Sequence, residues 1–287
     1  MTNDVTRRWK SRAMGYIPED LQVALFATRA HMKSFHHIPN IVKPRSFNEK
    51  VCRRKIMERD PRFPVLADKV LVKDIVRAKL GDDWIIPTIW HGQHLPPVEE
   101  RTWPMPFVIK VNSGSGWNIF VRNEAECDWP DIERRCDEWM RTTFGRHLGE
   151  WLYAHIKPQI LVEPFIGKLA DLPLDYKFWT FGGKVKAIQV DTDREHSTRR
   201  RFYDPDWRPL PFAKGVPLEE RDIPRPVSLD RMIAAAEILA EDISFVRVDF
   251  YEIEDSPVFG EMTFYPASGI SHFSPSEWDE VMGSYWQ

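Results

Sequence analysis

Two short apolar stretches near the end of the chain constrain its fold most. Residues 245–251 read Phe-Val-Arg-Val-Asp-Phe-Tyr and residues 259–264 read Phe-Gly-Glu-Met-Thr-Phe. Each alternates as a half-buried strand does, and the polar stretch 252–257 between them is hairpin-sized. Side chains two apart on a strand share a face, so Arg247 pairs in direction with Asp249, and Glu261 with Thr263. Antiparallel pairing then brings Asp249 close to Glu261. Two carboxylates converging on a packed sheet repel unless a cation lies between them. Hard oxygen ligands favour Mg²⁺, which usually arrives with nucleotide phosphates. A hairpin with a solvated acidic face fits the same residues, and the motif alone leaves both open.

The remaining chain must supply a partner for that face. At 287 residues it holds one large domain or two modest ones. A net charge of -3 gives no case for a general nucleic-acid-binding surface. Twelve Trp and 23 Pro suit loops that grip bulky ligands such as sugars, although Trp serves cores equally. Cys52, Cys127 and Cys136 form neither a disulfide framework nor a zinc set. The N-terminus lacks an apolar signal core and no run has the length of a membrane span, so a cytoplasmic protein with reduced thiols is expected. His31, His91, His94 and His272 are scattered and suggest no metal site.

Residues 1–60 read as basic and helical, with Arg7, Arg8, Lys10, Arg12, Arg53, Arg54 and Lys55 forming a solvated face or one turned to an anionic polymer or membrane. Pro18-Glu-Asp starts a helix, and Ser46-Phe-Asn-Glu49 has capping-box spacing for the next. Residues 60–64 predict a turn. A helix opening at Leu66-Ala-Asp68-Lys69 would bury Val70, Val72, Ile75 and Val76, turn Lys73, Arg77 and Lys79 outward, and stop at Gly81. A buried strand at 106–111 carries Lys110, and Asn112-Ser-Gly114-Ser115-Gly116 follows. Such a turn lets backbone N–H groups approach an anion, and the lysine adds a point charge for phosphate; a plain hairpin turn reads the same. Residues 131–150 predict an amphipathic helix. A strand at 159–166 ends near Pro164, and as an edge it would offer free backbone groups to a purine. Residues 175–181 and 184–190 flank Gly182-Gly183 as a hairpin. Arg194 and Arg199-Arg-Arg201 are expected in a loop, either solvated or holding acidic groups. Residues 203–227 look loop-like, and Ser228 precedes a helix with Met232, Ile233, Ala236 and Leu239 inside.

These pieces, in this order, resemble the ATP-grasp superfamily, and within it the TupA-like family associated with bacterial surface-polysaccharide gene clusters. The resemblance runs from Ser46-Phe-Asn-Glu-Lys50 to the end. It rests on Leu66-Ala-Asp-Lys69, Phe107-Val-Ile-Lys110, Asn112 to Gly116, Val162-Glu-Pro-Phe-Ile166, Asp175-Tyr-Lys177, Asp193-Arg194, Arg201-Phe-Tyr-Asp204, Arg247-Val-Asp249-Phe-Tyr251 and Gly260-Glu-Met-Thr-Phe264. It implies an α+β ATP-grasp fold, two α/β subdomains clasping ATP, behind an N-terminal helical segment. The expected divisions are 1–60, a lid part at 61–166 and a C-terminal part with metal and acceptor sites at 167–287.

Roles follow from the resemblance residue by residue. Lys69 and Lys110 resemble phosphate-binding lysines, with Lys177 also on the nucleotide side. Asn112, Gly114, Ser115 and Gly116 resemble the loop that closes over the triphosphate. Glu163, Pro164, Phe165 and Ile166 resemble the adenine-binding linker. Asp249 and Glu261 resemble the magnesium carboxylates, with Thr263 standing where Asn is usual. Arg247 resembles the arginine beside the reacting carbonyl, and Arg194 and Arg201 are the candidates for holding an acidic substrate. The implied activity is ATP- and Mg-dependent carboxylate–amine ligation through an acyl phosphate. By family context it joins an amino acid or amine to a uronic-acid surface glycan or its precursor, with room for peripheral contact to membrane-associated polysaccharide machinery. A kinase on a sugar or carboxylate, and a non-catalytic ATP-binding scaffold, are the alternatives.

Overall fold

A computed structural model describes residues 17–167, 172–193 and 197–287. Its helices and antiparallel ladders make an α+β protein built on two main sheets. The smaller contains β1 (Trp90–Gly92), β2 (Phe107–Val111), β3 (Asn118–Val121) and β4 (Ile160–Pro164), in the order β1-β4-β2-β3. The larger begins with β5 (Asp175–Phe181), β6 (Lys184–Thr192), β7 (Arg199–Tyr203) and β8 (Pro209–Leu210). After the short β9 (Ala213–Lys214), it is completed by β10 (Phe245–Ile253) and β11 (Ser256–Thr263). The resulting order is β11-β10-β5-β6-β7-β8, while β9 pairs with β12 (Phe273–Ser274).

Both expected hairpins form. Gly182 and Gly183 turn β5 into β6 with φ of 54° and 72°, values open to glycine at no steric cost. The β10–β11 turn is tighter than expected: the strands run on to Ile253 and Ser256, leaving Glu254 and Asp255 at φ 49° and 61°. Positive φ at both turn residues matches the twist of the flanking strands.

Strand alternation divides the larger sheet into two faces. Phe178, Ile188, Val190, Val248 and Phe250 point to the back with α6 (Leu229–Leu239) against them, once the earlier helices are counted. Those are α1 (Glu19–Phe35), α2 (Phe47–Met57), α3 (Arg62–Ala67), α4 (Val72–Leu80) and α5 (Trp129–Arg141), and α7 (Glu277–Tyr285) ends the chain. The front face is apolar at one end, where Phe47 of α2 lies 4.9 Å from Trp179 and 5.0 Å from Phe245, centroid to centroid. Ser46 Oγ caps α2 by accepting from Glu49 N at 3.2 Å, as the capping-box spacing predicts. The other end of the front face is polar and faces a cleft.

Several helix boundaries differ from the sequence expectation. Residues 62–67, expected partly as turn, form α3. Asp68 then interrupts: its Oδ1 accepts from Val70 N at 2.8 Å and Leu71 N at 3.2 Å, so α4 begins only at Val72. That side-chain-to-backbone competition is what disfavours Asp inside a helix. α5 stops at Arg141 rather than 150, and Gly145 and Gly149 beyond it are left-handed at φ 64° and 72°. α1 buries Val23, Ala27 and His31 and leaves Leu21 and Leu25 exposed. Arg7, Arg8, Lys10 and Arg12 lie outside the described residues.

Candidate active site

The cleft between the sheets has a volume of about 350 Å³ and is lined from both. A larger cavity of about 590 Å³ opens beside Lys50, Arg53 and Trp286, but it gathers no carboxylate pair or glycine loop, so size does not decide the site. On the larger sheet the cleft floor is made of cross-strand rows. One row runs Glu261, Asp249, Lys177, Gln189 across β11, β10, β5 and β6. The adjacent row runs Tyr251, Asp175, Asp191, Arg200 from β10 to β7. The Asp249–Glu261 pairing expected from the hairpin is the observed register.

Arg247 ties this pair together. Its Nε and Nη2 donate to Asp249 Oδ1 and Oδ2 at 2.7 and 2.6 Å, and Nη2 also reaches Thr263 Oγ1 at 3.0 Å and Glu261 Oε1 at 3.4 Å. Burial favours a neutral Asp249 and raises its pKa against the pull of Arg247 and Lys177. Burial opposes ionisation of Glu261 too, yet Lys69 and Arg247 hold its pKa down to about 2. Lys177 sits among Asp175, Asp249 (3.2 Å) and Asp191 (3.9 Å); burial works against its charge, but these carboxylates raise its pKa overall.

From the other side, β2 and β3 project the glycine loop. Ser115 and Gly116 line the cleft, and Gly114 adopts φ 130°, where an added Cβ would meet Phe144 at 3.0 Å and Trp117 at 3.1 Å. Lys69 bridges the two halves: Nζ donates to Gly114 O at 2.6 Å and lies 3.1 Å from Glu261 Oε2. Asn112, expected to touch the nucleotide, stands behind the loop. Its amide donates to Asp68 Oδ2 (2.8 Å) and Lys157 O (3.0 Å), and its Oδ1 accepts from Gln159 N (2.7 Å), which fixes the loop's base.

Lys110 Nζ donates to Glu163 Oε2 at 2.7 Å, and Lys73 holds the other Glu163 oxygen while donating to Ile86 O (2.8 Å) and Thr88 Oγ1 (2.7 Å). Lys73 was expected to face solvent. Val72 and Val76 are buried as expected, and Lys73, flanking them on the same helix, turns its ammonium inward to Glu163, leaving its side chain 12% exposed. Burial opposes the Glu163 charge, and the two lysines lower its pKa nonetheless. Pro164, Phe165 and Ile166 border a small recess with Ile86, Val108 and Tyr251 and with the polar Lys110 and Asn118. β4 is no edge: it lies between β1 and β2, with Glu163 paired to Val108, and Phe165 N donates to Pro106 O at 3.0 Å.

The arginines expected to hold an acidic substrate fare differently. Arg194 lies outside the described residues. Arg201 is in β7 rather than a loop, on the back face, with Nη1 donating to the carbonyls of Glu219, Glu220 and Arg221 at 3.1, 2.9 and 3.2 Å. Its neighbour Arg200 faces the cleft. A strand assignment for 199–203 would have found this, since adjacent strand residues point to opposite faces.

Asp249 and Glu261, hard oxygen donors at paired positions, fit a magnesium ion by donor chemistry. Thr263 adds no free ligand: its Oγ1 accepts from Arg247 and donates to Glu261 Oε1 at 3.2 Å. Among the described residues no group of three or more His, Cys, Asp or Glu is gathered for a metal.

A glycine loop on one antiparallel sheet facing paired acids on another is the arrangement of an ATP-grasp protein. The TupA-like ATPgrasp family profile matches residues 49–287, and the chain belongs to that family. No curated protein matches. Among solved structures the chain is similar to a D-alanine--D-alanine ligase from Bacillus anthracis, with TM-score 0.41, 16% identity, and coverage of 70% of this chain and 56% of that one. It is also similar to an L-amino acid ligase from Bacillus licheniformis, with TM-score 0.45, 13% identity, and coverage of 80% and 47%. The chain thus spans about half the length of these proteins. No helix among the described residues is long and apolar enough to cross a membrane.

Proposed function

We propose that this protein is an ATP- and Mg-dependent carboxylate–amine ligase. In this reading it activates a carboxylate as an acyl phosphate and passes it to an amine, joining an amino acid or amine to a uronic-acid glycan or its precursor. The observation that carries the reading is the reach of Lys69, which touches both the glycine loop at Gly114 O and the carboxylate pair at Glu261. One cleft therefore holds a glycine-loop anion cradle, two lysines and two acids. TupA-like family membership supports the same reading.

The chemistry follows from the residues. Lys69 and Lys110 hold the triphosphate charge, and Ser115 and Gly116 cover it, keeping water from the labile acyl phosphate. Asp249 and Glu261 would hold Mg²⁺, which when bound supplies charge neutralisation for phosphoryl transfer. Arg247, fixed by Asp249, offers its guanidinium to the oxyanion formed as the amine attacks. Glu163 positions Lys110, and the recess beside Pro164 to Ile166 is the seat for the purine ring.

The test is phosphate release from Mg-ATP with uronates and amino acids in all pairings. Release that needs both partners is expected, and Asp249→Asn or Glu261→Gln should lower it by about 100-fold or more. ADP formation with an acceptor alone would make the protein a kinase. Nucleotide binding without turnover on any pairing would make it a scaffold. Full turnover in either variant would remove the metal assignment.

A further inference from the structure

Arg200 has a role that the two rows of the cleft floor define. A guanidinium carries five N–H groups in a fixed plane. Arg200 commits three of them: Nε to Asp191 Oδ1 at 2.5 Å, Nη2 to Asp191 Oδ2 at 3.1 Å, and Nη1 to Lys214 O at 2.7 Å. Among the described residues one N–H on each terminal nitrogen is left over, and the side chain, 16% exposed, lines the cleft beside Thr198. The paired contact to Asp191 locks the fork in place, because Asp191 is itself held by Gln189 Nε2, which lies 3.1 Å from each of its oxygens. A locked fork with a spare donor on each terminal nitrogen is suited to a carboxylate.

Its position separates it from the reacting centre. Arg200 is on β7, three strands from Arg247 and Asp249 on β10, which at normal strand spacing is about 14 Å. Lys177, which lies between them, is already surrounded by Asp175, Asp191 and Asp249. Arg201 points to the back face. The only arginine of the β7 run that the cleft can use for an anion is therefore Arg200, and that anion cannot be the carboxylate activated next to Arg247.

We propose that Arg200 binds a second, non-reacting carboxylate carried by one of the two organic substrates, and so sets their acidic class. This rests on the ligase reading above. The carboxylate belongs either to the acid acceptor, which would then be at least a dicarboxylate or a polymer of uronates, or to an amino acid acting as the amine.

The test is calorimetric binding to the full chain with Mg-ADP present. The probes are a digalacturonate and L-alanine, with the digalacturonate diamide and L-alaninamide as uncharged counterparts, and D-glucuronate as a control with a single carboxylate. At least one acid should bind the wild type, its amide should bind at least tenfold more weakly, and Arg200→Gln should weaken the acid by a similar factor. Arg200→Lys should recover part of the loss, and Arg199→Gln, the same charge change at an exposed neighbour, should leave acid binding as it was. Loss confined to the digalacturonate assigns the carboxylate to the acid acceptor; loss confined to L-alanine assigns it to the amine. Equal binding of acid and amide, undiminished binding in Arg200→Gln, or no binding of any acid overturns the proposal. Thermal melting of each variant reports whether it is folded. If Mg-ADP does not bind, the ligase reading fails, while the acid-against-amide comparison still decides the role of Arg200.

Discussion

Lys73→Met should damage this protein far more than the position of Lys73 in the sequence suggests. Its ammonium is held by Glu163, Ile86 O and Thr88 Oγ1, and the Lys73 and Glu163 side chains are only 12% and 5% exposed. Removing one partner from a buried ion pair typically costs about 3–5 kcal/mol, because the other charge stays buried. Glu163 keeps Lys110 at 2.7 Å, which places the expected loss near the lower end, about 3 kcal/mol. At roughly 2–4 °C per kcal/mol for a chain of this size, the melting midpoint should fall by about 6–12 °C. Thermal melts followed by circular dichroism measure this directly. Adding Glu163→Met to Lys73→Met removes the buried carboxylate and leaves Lys110, 20% exposed, to turn to solvent, so the double variant should lose less than the sum of the two single changes. The reasoning also reaches the nucleotide. With Lys73 gone, Lys110 becomes the sole counter-charge of Glu163 and is less free to meet a phosphate, so ATP-dependent stabilisation should shrink. A Lys73→Met protein that melts within about 2 °C of wild type, or a double variant whose losses simply add, would refute the buried triad.

Two further outcomes test the helical layer. Among the described residues neither ring nitrogen of the buried His31 has a partner, and burial, followed by the nearby His37, lowers its pKa to about 4. Because the folded value lies below the ordinary 6.5, the unfolded chain takes up the proton first as pH falls; stability is full above 6.5 and declines toward 4. His31→Phe should flatten that decline in melting midpoint against pH, and an unchanged slope would exclude His31 as its source. Gly283→Ala would place a Cβ 2.1 Å from Arg45 O and 2.8 Å from Phe47 N, so α7 must lift from α2. A loss of about 3 kcal/mol in urea unfolding is expected, and a loss below about 1 would show that the helices adjust.

The parts most legible in the sequence were those set by strand parity and turn chemistry. Asp249 opposite Glu261 follows from two alternating stretches and one short turn, and the β5–β6 hairpin follows from Gly182-Gly183. The glycine loop between β2 and β3 was legible for the same reason. Long polar side chains beside a buried face were less legible. Lys73 flanks the buried Val72 and Val76, and Glu163, Ile86 O and Thr88 Oγ1 draw its ammonium inward. Treating 199–201 as loop hid the alternation that puts Arg200 in the cleft and Arg201 behind it. The inner place of β4 depends on β1, a strand of three residues at Trp90–Gly92 that leaves little trace in the sequence. Asn112 carried a recognisable motif, yet its amide is spent on Asp68, Lys157 and Gln159, contacts distant in the chain.

On the front of the larger sheet, a single row separates dry packing from wet chemistry: Thr263, Arg247, Trp179 and Ala187. Trp179 sits on that boundary, its ring packed on Phe47 and its indole N–H given to Gln189 Oε1 at 3.2 Å. Changes made near this seam disturb the interior and the reacting groups together. Side-chain changes that must spare the reacting groups are therefore best made at the far margin, on β7.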